Sequence, residues 1–434
     1  MQGLSPIKEE FLHYLWKTKK IPVNDTVTTE GDKFEIIDFG VYNSDSGPDF
    51  FNGKVKIGET LWAGNIEMHV FSSEWYVHRH QDDKAYENVI LHVVYEHDKD
   101  IFRSDGTIIN TLELKGKIPR IYLENYLRLY QSPDALPCSY ALSDVDKQKI
   151  GLWQHTLVAE RLLRKSSWIN KLLSQTHQDW EETFYIVLSR YFGSRVNTDP
   201  FEQLAASTPL SVLRKNRDNA KIIEAVLFGQ AGMLDAKYND EYFSELKKEY
   251  NYQRSKYNLR PIPAVMWKFS RMRPANFPTI RIAQLAAFIS GNEAVFQQIK
   301  HAEDIKSIRV LFKNQPDVYW EKHYRFDYPA PKKQSAVLTD SFIDLLIINA
   351  VAPVVFQYGK ATDDPIYTEK AFSILEQMAP EKNNIITSWN ELGIPAEKAF
   401  NSQALIQLRS EYCNRKRCLE CSIGHEVLAK DRNV

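Results

Sequence analysis

Apolar and polar positions follow two different periods along this chain, and the change falls near residue 118. Before it, short runs rich in β-branched and aromatic residues are separated by Gly, Asn, Asp and Ser, which predicts strands joined by turns. After it, apolar residues recur every three or four positions, which predicts a series of helices. The pattern therefore predicts an α/β domain over 1–118 and a large all-α domain over 119–434, with a subdivision near 250–275 where prolines interrupt the helical period.

The amino-terminal elements are predicted in the order helix, three strands, helix, strand. The opening helix carries Ile7, Phe11 and Leu15 at helical spacing. Its predicted range and those of the following elements are 5–19, 34–43, 49–58, 60–77, 81–89 and 89–98. A hairpin is predicted around Asp105 and Gly106. We therefore expect a mixed β-sheet flanked by helices, an α+β or α/β arrangement, ahead of the helical domain.

Composition adds three limits. The 434 residues are 43% hydrophobic and 26% charged, as in ordinary globular proteins, and the net charge of −1 creates no overall field that attracts nucleic acid or anionic lipid. The first twenty residues have acids at their centre and no uninterrupted apolar core, so neither a signal peptide nor a membrane partner is predicted, and we expect a cytoplasmic protein. Four cysteines in so long a chain indicate metal ligands or reduced thiols rather than disulfides.

Acids and histidines are concentrated between residues 47 and 98. Side chains alternate along a strand, so Glu67 and His69 are predicted to share one face, and Asp49 follows a turn formed by Gly47 and Pro48. Two carboxylates at neighbouring strands hold a divalent cation such as Mg²⁺ or Mn²⁺ against a phosphodiester. The alternative is a hairpin with a turn-forming Asp49 and an ion-paired Glu67.

A second group of candidate metal ligands follows in sequence. His78 and His80 would share a face if the strand continued through them, and Asp82 or Asp83 would complete the set. Imidazole and carboxylate together favour Mn²⁺ or Zn²⁺ over Ca²⁺. A solvated polar turn is the alternative for this group. His92 lies in an apolar run. There, a structural histidine that bonds to a backbone carbonyl fits the pattern as well as a catalytic histidine does.

Three of the four cysteines lie close together near the carboxyl end. Cys413, Cys418 and Cys421 need a fourth ligand to complete a zinc site or an iron–sulfur cluster. That ligand is either Cys138, which gives four thiolates, or His425. Unligated reduced thiols are the alternative.

Basic residues with neighbouring aromatic rings form a candidate nucleic-acid site, composed of Lys268, Arg271, Arg273 and Arg281. Asn276 or Thr279 would cap the next helix, whose N–H groups would add to a phosphate site, and Trp267 or Phe269 would stack on bases. A second basic patch covers residues 414–417. A solvated or internally paired face is the alternative for both.

The first 115 residues resemble the PD-(D/E)XK nuclease superfamily. Asp49 in Pro48-Asp49 matches its first acid, Glu67 its second, and His69 stands where lysine is usual. The resemblance implies a nuclease fold and metal-dependent hydrolysis of nucleic acid, with DNA favoured over RNA. Lysine would supply a fixed positive charge at this position, whereas His69 is only partly charged at neutral pH. The alternatives are a nuclease scaffold that only binds nucleic acid or protein, and a zinc or manganese hydrolase of a small substrate.

Nearly the full chain also resembles an uncharacterised bacterial family of unknown function. The segments that carry this likeness are SGPDFFNGKVKIG, WAGNIEMHV, RPANFPTIRIAQLA and YCNRKRCLECSIG. The family implies no activity, so the mechanism rests on the residues above.

Overall fold

The computed structural model describes residues 7–21 and 26–431, which divide into two compact units. The first unit combines Met1–Trp153 with Leu408–Val434, and the second is Gln154–Gln407. This division differs from the predicted boundary after residue 118. The reason is that the chain's last segment packs onto the amino-terminal part, where the Asn125 side-chain amide donates to the carbonyl of Leu428.

The first unit is built on a mixed sheet with strand order β1-β3-β4-β5-β6, and β2 pairs with the edge of β3. Strands β1, β3 and β4 are antiparallel, whereas β4, β5 and β6 are parallel. The strands are β1 (Phe34–Asp38), β2 (Val41–Tyr42), β3 (Phe50–Ile57), β4 (Thr60–Phe71), β5 (Val89–Glu96) and β6 (Thr111–Glu113). The helices are α1 (Glu9–Lys17), α2 (Glu74–Val77), α3 (Arg120–Gln131), α4 (Lys147–Gln175) and α18 (Ser422–Ala429), and α4 continues into the second unit.

Strand β5 is central because its residues are apolar without alternation. Residues 89–94 are all buried, as expected for a parallel strand covered on both faces. Helix α1 packs against β4 and buries Phe11, Leu12, Leu15 and Trp16. The amphipathic opening helix is therefore confirmed, although it is shorter than predicted.

The strand predicted to run through residue 77 ends at Phe71. The Glu74 carboxylate accepts the backbone N–H groups of Val70 and Phe71, and the Ser72 hydroxyl accepts those of Asp98 and Lys99. These local side-chain bonds compete with strand extension, so the chain turns into α2. The predicted placement of His78 and His80 on one strand face is therefore wrong.

The predicted hairpin around Asp105 is also only partly formed. The turn itself is present, because Asp105 accepts the Thr107 N–H at 2.9 Å. Its arms meet only in one isolated bridge between Phe102 and Ile108. The chain then adds β6 parallel to β5, which extends the sheet instead of continuing the hairpin.

The second unit is mostly helical, so the predicted order of a mixed sheet followed by a helical remainder is confirmed. A two-stranded ribbon, β7 (His323–Arg325) and β8 (Tyr328–Pro329), was not predicted. The helices are α5 (Trp180–Phe192), α6 (Thr198–Ala206), α7 (Leu210–Arg214), α8 (Ala220–Gln230), α9 (Glu241–Tyr257), α10 (Pro278–Ser290), α11 (Val295–His301), α12 (Ile305–Val310), α13 (Asp340–Leu346), α14 (Ala352–Thr362), α15 (Pro365–Gln377), α16 (Asn384–Glu391) and α17 (Ala399–Gln407).

One helical stretch in the described residues, Asp340–Thr362, is long and apolar enough to cross a membrane. It includes the π-helical turn Ile347–Val351 between α13 and α14. Of its most apolar window, 78% is buried inside the protein. This is the burial expected of a core helix, and its apolar residues are accounted for by packing.

Candidate functional site

Asp49 is positioned by the loop between β2 and β3. The Asn43 side-chain amide donates to three carbonyl groups of this loop, between residues 45 and 48. Gly47 has a φ of 104°, a left-handed conformation that favours glycine. The loop therefore closes on itself and ends with Asp49 directly before β3.

Strand β4 places Glu67 beside Asp49. The Asp49 N–H donates to Glu67 Oε2 at 3.2 Å, and the Met68 N–H donates to Asp49 Oδ2 at 2.9 Å. Glu67 is only 5% exposed. Each carboxyl group is thus held by the backbone next to the other, so the structure brings together the two acids singled out in the sequence.

Helix α1 adds two residues to this point that the sequence reasoning did not assign. His13 Nε2 lies 3.2 Å from Asp49 Oδ2 and 3.6 Å from Glu9 Oε1. Glu9 and His13 are four positions apart on one helix face, a spacing that could have identified them as a pair. Ligand atoms of Glu9, His13 and Asp49 all lie within 4.8 Å of one another.

Three imidazoles meet on the other side of Glu67. His69 Nε2 lies 3.0 Å from His78 Nδ1, and Glu67 Oε1 lies 3.6 Å from His69 Nε2 and 3.2 Å from His80 Nε2. His78 and His80 reach this point from α2 and the turn after it. His69 Nδ1 lies 2.7 Å from His92 Nε2 on β5. His92 therefore contacts the His69 ring nitrogen that is not directed at Glu67 and His78.

Burial controls the protonation of this cluster. Together with the nearby charge of Asp49, it raises the pKa of Glu67 to about 9. Burial likewise lowers the pKa of His69 and of His80, and lowers that of His92 to about 3. His69 and His80 are therefore neutral at pH 7, the form in which an imidazole nitrogen can bind a metal.

The charge of Asp49 raises the pKa of both Glu9 and His13. Burial, reinforced by the charge of Asp49, raises the pKa of Glu9 to about 7. Burial alone would lower the pKa of His13, but contact with Asp49 outweighs it and the pKa is raised. Asp49 therefore favours the protonated, positively charged form of His13, whereas burial favours the neutral form of His69.

The three imidazoles lie close enough together to share one metal ion, because ligand atoms of His69, His78 and His80 are all within 4.8 Å of one another. Glu67 Oε1 lies 3.6 Å from His69 Nε2 and 3.2 Å from His80 Nε2, near the separation of roughly 3.4 Å between ligands of a tetrahedral ion. His80 Nε2 is buried and makes no hydrogen bond to any described residue. A metal ion would satisfy that nitrogen and offset the repulsion between Glu67 and Asp49.

Asp82 and Asp83 lie outside this donor set. Both are exposed. The Asp83 side chain accepts the Ala85 N–H at 2.9 Å and caps the short 3₁₀ turn Lys84–Tyr86. Asp82 accepts from the Gln81 side chain. Arg79, also exposed, has a left-handed φ of 60° that redirects the chain so that His80 points inward.

The four cysteines lie together in the first unit. All are reduced, and they line one small cavity with Pro137, Tyr412, Arg417 and Gly424. His425 is turned away from them, because its Nε2 lies 2.6 Å from the carbonyl oxygen of Leu419 and its ring packs on Tyr14. The structure therefore groups Cys138, and not His425, with the other three cysteines.

The predicted basic group at 268–281 is only partly at the surface. Lys268, Arg271 and Arg273 are exposed. Arg281 is 6% exposed, donates to Gln284 and Asn276, and lies over the Phe342 ring. Its burial lowers its pKa to about 9. Arg281 therefore does not present its charge to a ligand at the surface.

The predicted helix cap in this region is wrong. Helix α10 begins after Phe277 without a side-chain cap. Thr279 instead donates to the Tyr324 carbonyl, and Asn276 accepts from Arg281. Trp267 is buried and donates to the Ala231 carbonyl, so it offers no stacking surface.

A groove that the sequence did not reveal lies along α1. Its volume is about 920 Å³, and His13 is among its lining residues. Lys17 Nζ lies 3.8 Å from the centre of the Tyr42 ring, and Lys8 Nζ lies 4.9 Å from that of Tyr130. The groove-lining charges are Lys8, Lys17, Arg415, Lys416 and Arg417 against Glu10 and Glu420. The second basic patch of the sequence, 414–417, thus faces the groove.

Fold and site together define a mixed α/β protein with a buried histidine–carboxylate cluster beside a basic groove. The chain belongs to the family described as "Protein of unknown function (DUF2851)", whose model matches residues 9–384. That match includes the histidine–carboxylate cluster and ends before the three carboxyl-terminal cysteines. No curated protein and no solved structure matches the chain.

Proposed function

We propose that this protein hydrolyses phosphodiester bonds of nucleic acid with a divalent transition-metal ion. The observation that carries the proposal is the convergence of Glu67 with three imidazoles beside Asp49, which contacts His13 in the lining of a basic groove. The element order α1, three main strands, α2, β5 supports a PD-(D/E)XK-like core. In such a core, Asp49 and Glu67 would be the two acids.

The ligand types favour Mn²⁺ or Zn²⁺ over Mg²⁺, because imidazole nitrogen suits transition metals and Mg²⁺ prefers oxygen. Glu67, His69, His78 and His80 would hold the ion. When bound, it would lower the pKa of a water molecule and neutralise phosphate charge. His78 is exposed, so this point is open to substrate.

His92 and His13 would orient the site and balance the charge of the substrate. His92 would hold the His69 ring through their 2.7 Å contact. His13, rather than His69, would place a positive charge beside Asp49, in the role that lysine has in the superfamily. His13 also lines the groove, so a phosphate there would approach Asp49 past this imidazole.

The groove supports nucleic acid as the substrate class. Five basic side chains line it against two acids, and Glu420 is already paired with Arg417 at its edge. Tyr42 and Tyr130 lie beneath lysines, which combines stacking faces with phosphate-binding charge. A small substrate would not need so many basic and aromatic side chains along the groove.

Cleavage of single-stranded and duplex DNA and of RNA with Mn²⁺, Zn²⁺ or Mg²⁺ tests this proposal. We expect Mn²⁺- or Zn²⁺-dependent cleavage that Glu67→Gln lowers by more than about 100-fold, since even outer-shell partners of a metal are worth 10–100-fold. Glu59→Gln is the matched control, because that side chain is 98% exposed on the β3–β4 turn. Equal cleavage by Glu67→Gln would refute the assignment.

A second outcome distinguishes the competing functions. Metal binding without cleavage of any nucleic acid would leave two functions, a binding scaffold and a hydrolase of a small substrate. The imidazole-rich donor set specifically favours the latter, because such sets occur in zinc hydrolases. Hydrolysis of a small phosphate ester that Glu67→Gln abolishes would then identify it.

A further inference from the structure

The four cysteines come from two distant parts of the chain but lie in one place. Cys138 follows Pro137 before the 3₁₀ turn Ser139–Asp144, and Cys413 ends the π-helical turn Leu408–Cys413. Cys418 starts a 3₁₀ turn, and Cys421 directly precedes α18. All four line the same cavity. Chance does not account for every cysteine of a 434-residue chain meeting at one point.

The loop from Cys413 to Cys421 is shaped by its backbone rather than by side-chain packing. The Lys416 N–H donates to the Cys413 carbonyl at 3.1 Å, and the Cys421 N–H donates to that of Cys418 at 3.3 Å. A Cβ atom at Gly424 would lie 2.0 Å from the Cys418 carbonyl oxygen, so only glycine allows α18 to approach this closely. The fold therefore holds the cysteines in a fixed arrangement.

Their environment is apolar, which is unfavourable for isolated thiolates. Burial, reinforced by neighbouring cysteines, raises the pKa of Cys138 and of Cys418 to about 12. A cationic centre that binds all four sulfurs would offset that mutual repulsion. Cys138, Cys413 and Cys421 are buried and so lack the exposure expected of a redox-sensing thiol, whereas Cys418 is half-buried.

The spacing of the sulfurs separates zinc from a larger centre. Thiolates about 2.3 Å from a tetrahedral zinc ion lie roughly 3.8 Å apart. Among these four described cysteines, no three sulfurs lie within 4.8 Å of one another. The cavity they line has a volume of about 10 Å³, which admits one water-sized sphere. Four sulfurs spaced for a single zinc ion would leave no room for such a sphere between them. The wider spacing suits a cluster of several iron atoms.

We propose that Cys138, Cys413, Cys418 and Cys421 bind a [4Fe–4S] cluster. Four thiolates are the usual ligand set of such clusters. The cluster would tie the carboxyl-terminal segment to the amino-terminal part of the first unit. Residues 414–417, which line the groove, lie between two of the ligands, so the cluster would also hold that wall in place. This site is separate from the histidine–carboxylate cluster and does not depend on the proposed hydrolysis.

Iron and sulfide analysis of the full chain, expressed with iron and purified without oxygen, tests the proposal. We expect a brown protein with visible charge-transfer absorbance and about four iron and four sulfide per chain. Each single Cys→Ser substitution should lower the iron content to a small fraction. His425→Gln is the matched control and should keep full iron, because His425 bonds to Leu419.

Metal content is measured first on the unaltered chain, so the result does not depend on how a variant folds. A colourless protein with one zinc per chain would overturn the cluster in favour of a zinc site. Four titratable thiols without any metal would overturn both. Loss of iron in His425→Gln with retention in Cys138→Ser would overturn the proposed ligand set.

Discussion

His69 Nδ1 and His92 Nε2 are 2.7 Å apart, between two parallel strands of the buried sheet. Only one of these nitrogens carries the shared proton. If His69 binds a metal through Nε2, its Nδ1–H donates to His92, which fixes the ring orientation. His92 is fully buried, and its Nδ1 has no hydrogen-bond partner among the described residues. His92 is therefore a positioning residue for His69.

Replacement of His92 should weaken metal binding without removing a ligand. We expect His92→Leu to lower Mn²⁺ or Zn²⁺ affinity by about 10–100-fold, the usual value of an outer-shell partner. His92→Gln should retain more affinity than His92→Leu, because an amide oxygen accepts the same proton. Isothermal titration calorimetry measures both, and His97→Gln serves as the control outside the cluster. Equal affinities for the Leu and Gln variants would argue against this role.

Two basic surfaces compete as the nucleic-acid site, and paired substitutions separate them. We expect Lys17→Ala and Tyr42→Ala, both in the groove, to weaken binding of single-stranded DNA. Lys17→Ala should also reduce the salt dependence of binding by about one counterion, whereas Tyr42→Ala should leave that slope unchanged. Fluorescence anisotropy at several salt concentrations measures both effects.

Arg273→Ala in the second unit is the matched control for those substitutions. Arg273 is exposed and belongs to the basic group first identified in the sequence. If Arg273→Ala weakens DNA binding and Lys17→Ala does not, the groove is not the binding surface. The same binding assay with Glu67→Gln separates binding from cleavage, since that variant should bind DNA as the unaltered chain does.

Glu224 makes the stability of the second unit depend on pH. It is 3% exposed, accepts from the Trp320 indole at 2.7 Å and from the Tyr242 hydroxyl at 2.8 Å, and burial raises its pKa to about 7. The folded state therefore binds a proton that the unfolded state loses above about pH 4.5. Stability should fall as pH rises from about 5 to about 7, by up to about 3 kcal/mol.

Urea unfolding at pH 5 and pH 8 measures this effect. Glu224→Gln keeps an acceptor oxygen for both donors but cannot ionise, so its stability should change less between the two pH values. Glu303→Gln, at an exposed position, should behave like the unaltered chain. A Glu224→Gln variant with the same pH dependence as the unaltered chain would show that Glu224 is not responsible.

Part of the candidate site was readable from local sequence. Strand alternation placed Glu67 and His69 on one face, and the turn at Gly47 placed Asp49 before the next strand. Glu9 and His13 were missed because their importance arises from the packing of α1 on β4, which brings a helix of ordinary amphipathic pattern to Asp49. His78 and His80 were noticed for the wrong reason, since they reach Glu67 from a turn and not from a strand.

The sequence by itself determined the type of most of the longer elements, because apolar periodicity reports which face of a helix or strand is buried. It also singled out the acids, histidines and cysteines by their types and local spacing. Only the tertiary structure decided which of them meet. Long-range packing joined Cys138 to three cysteines far along the chain, buried Arg281 instead of exposing it, and formed the groove beside α1. Those outcomes depend on contacts between distant segments, which no local pattern records.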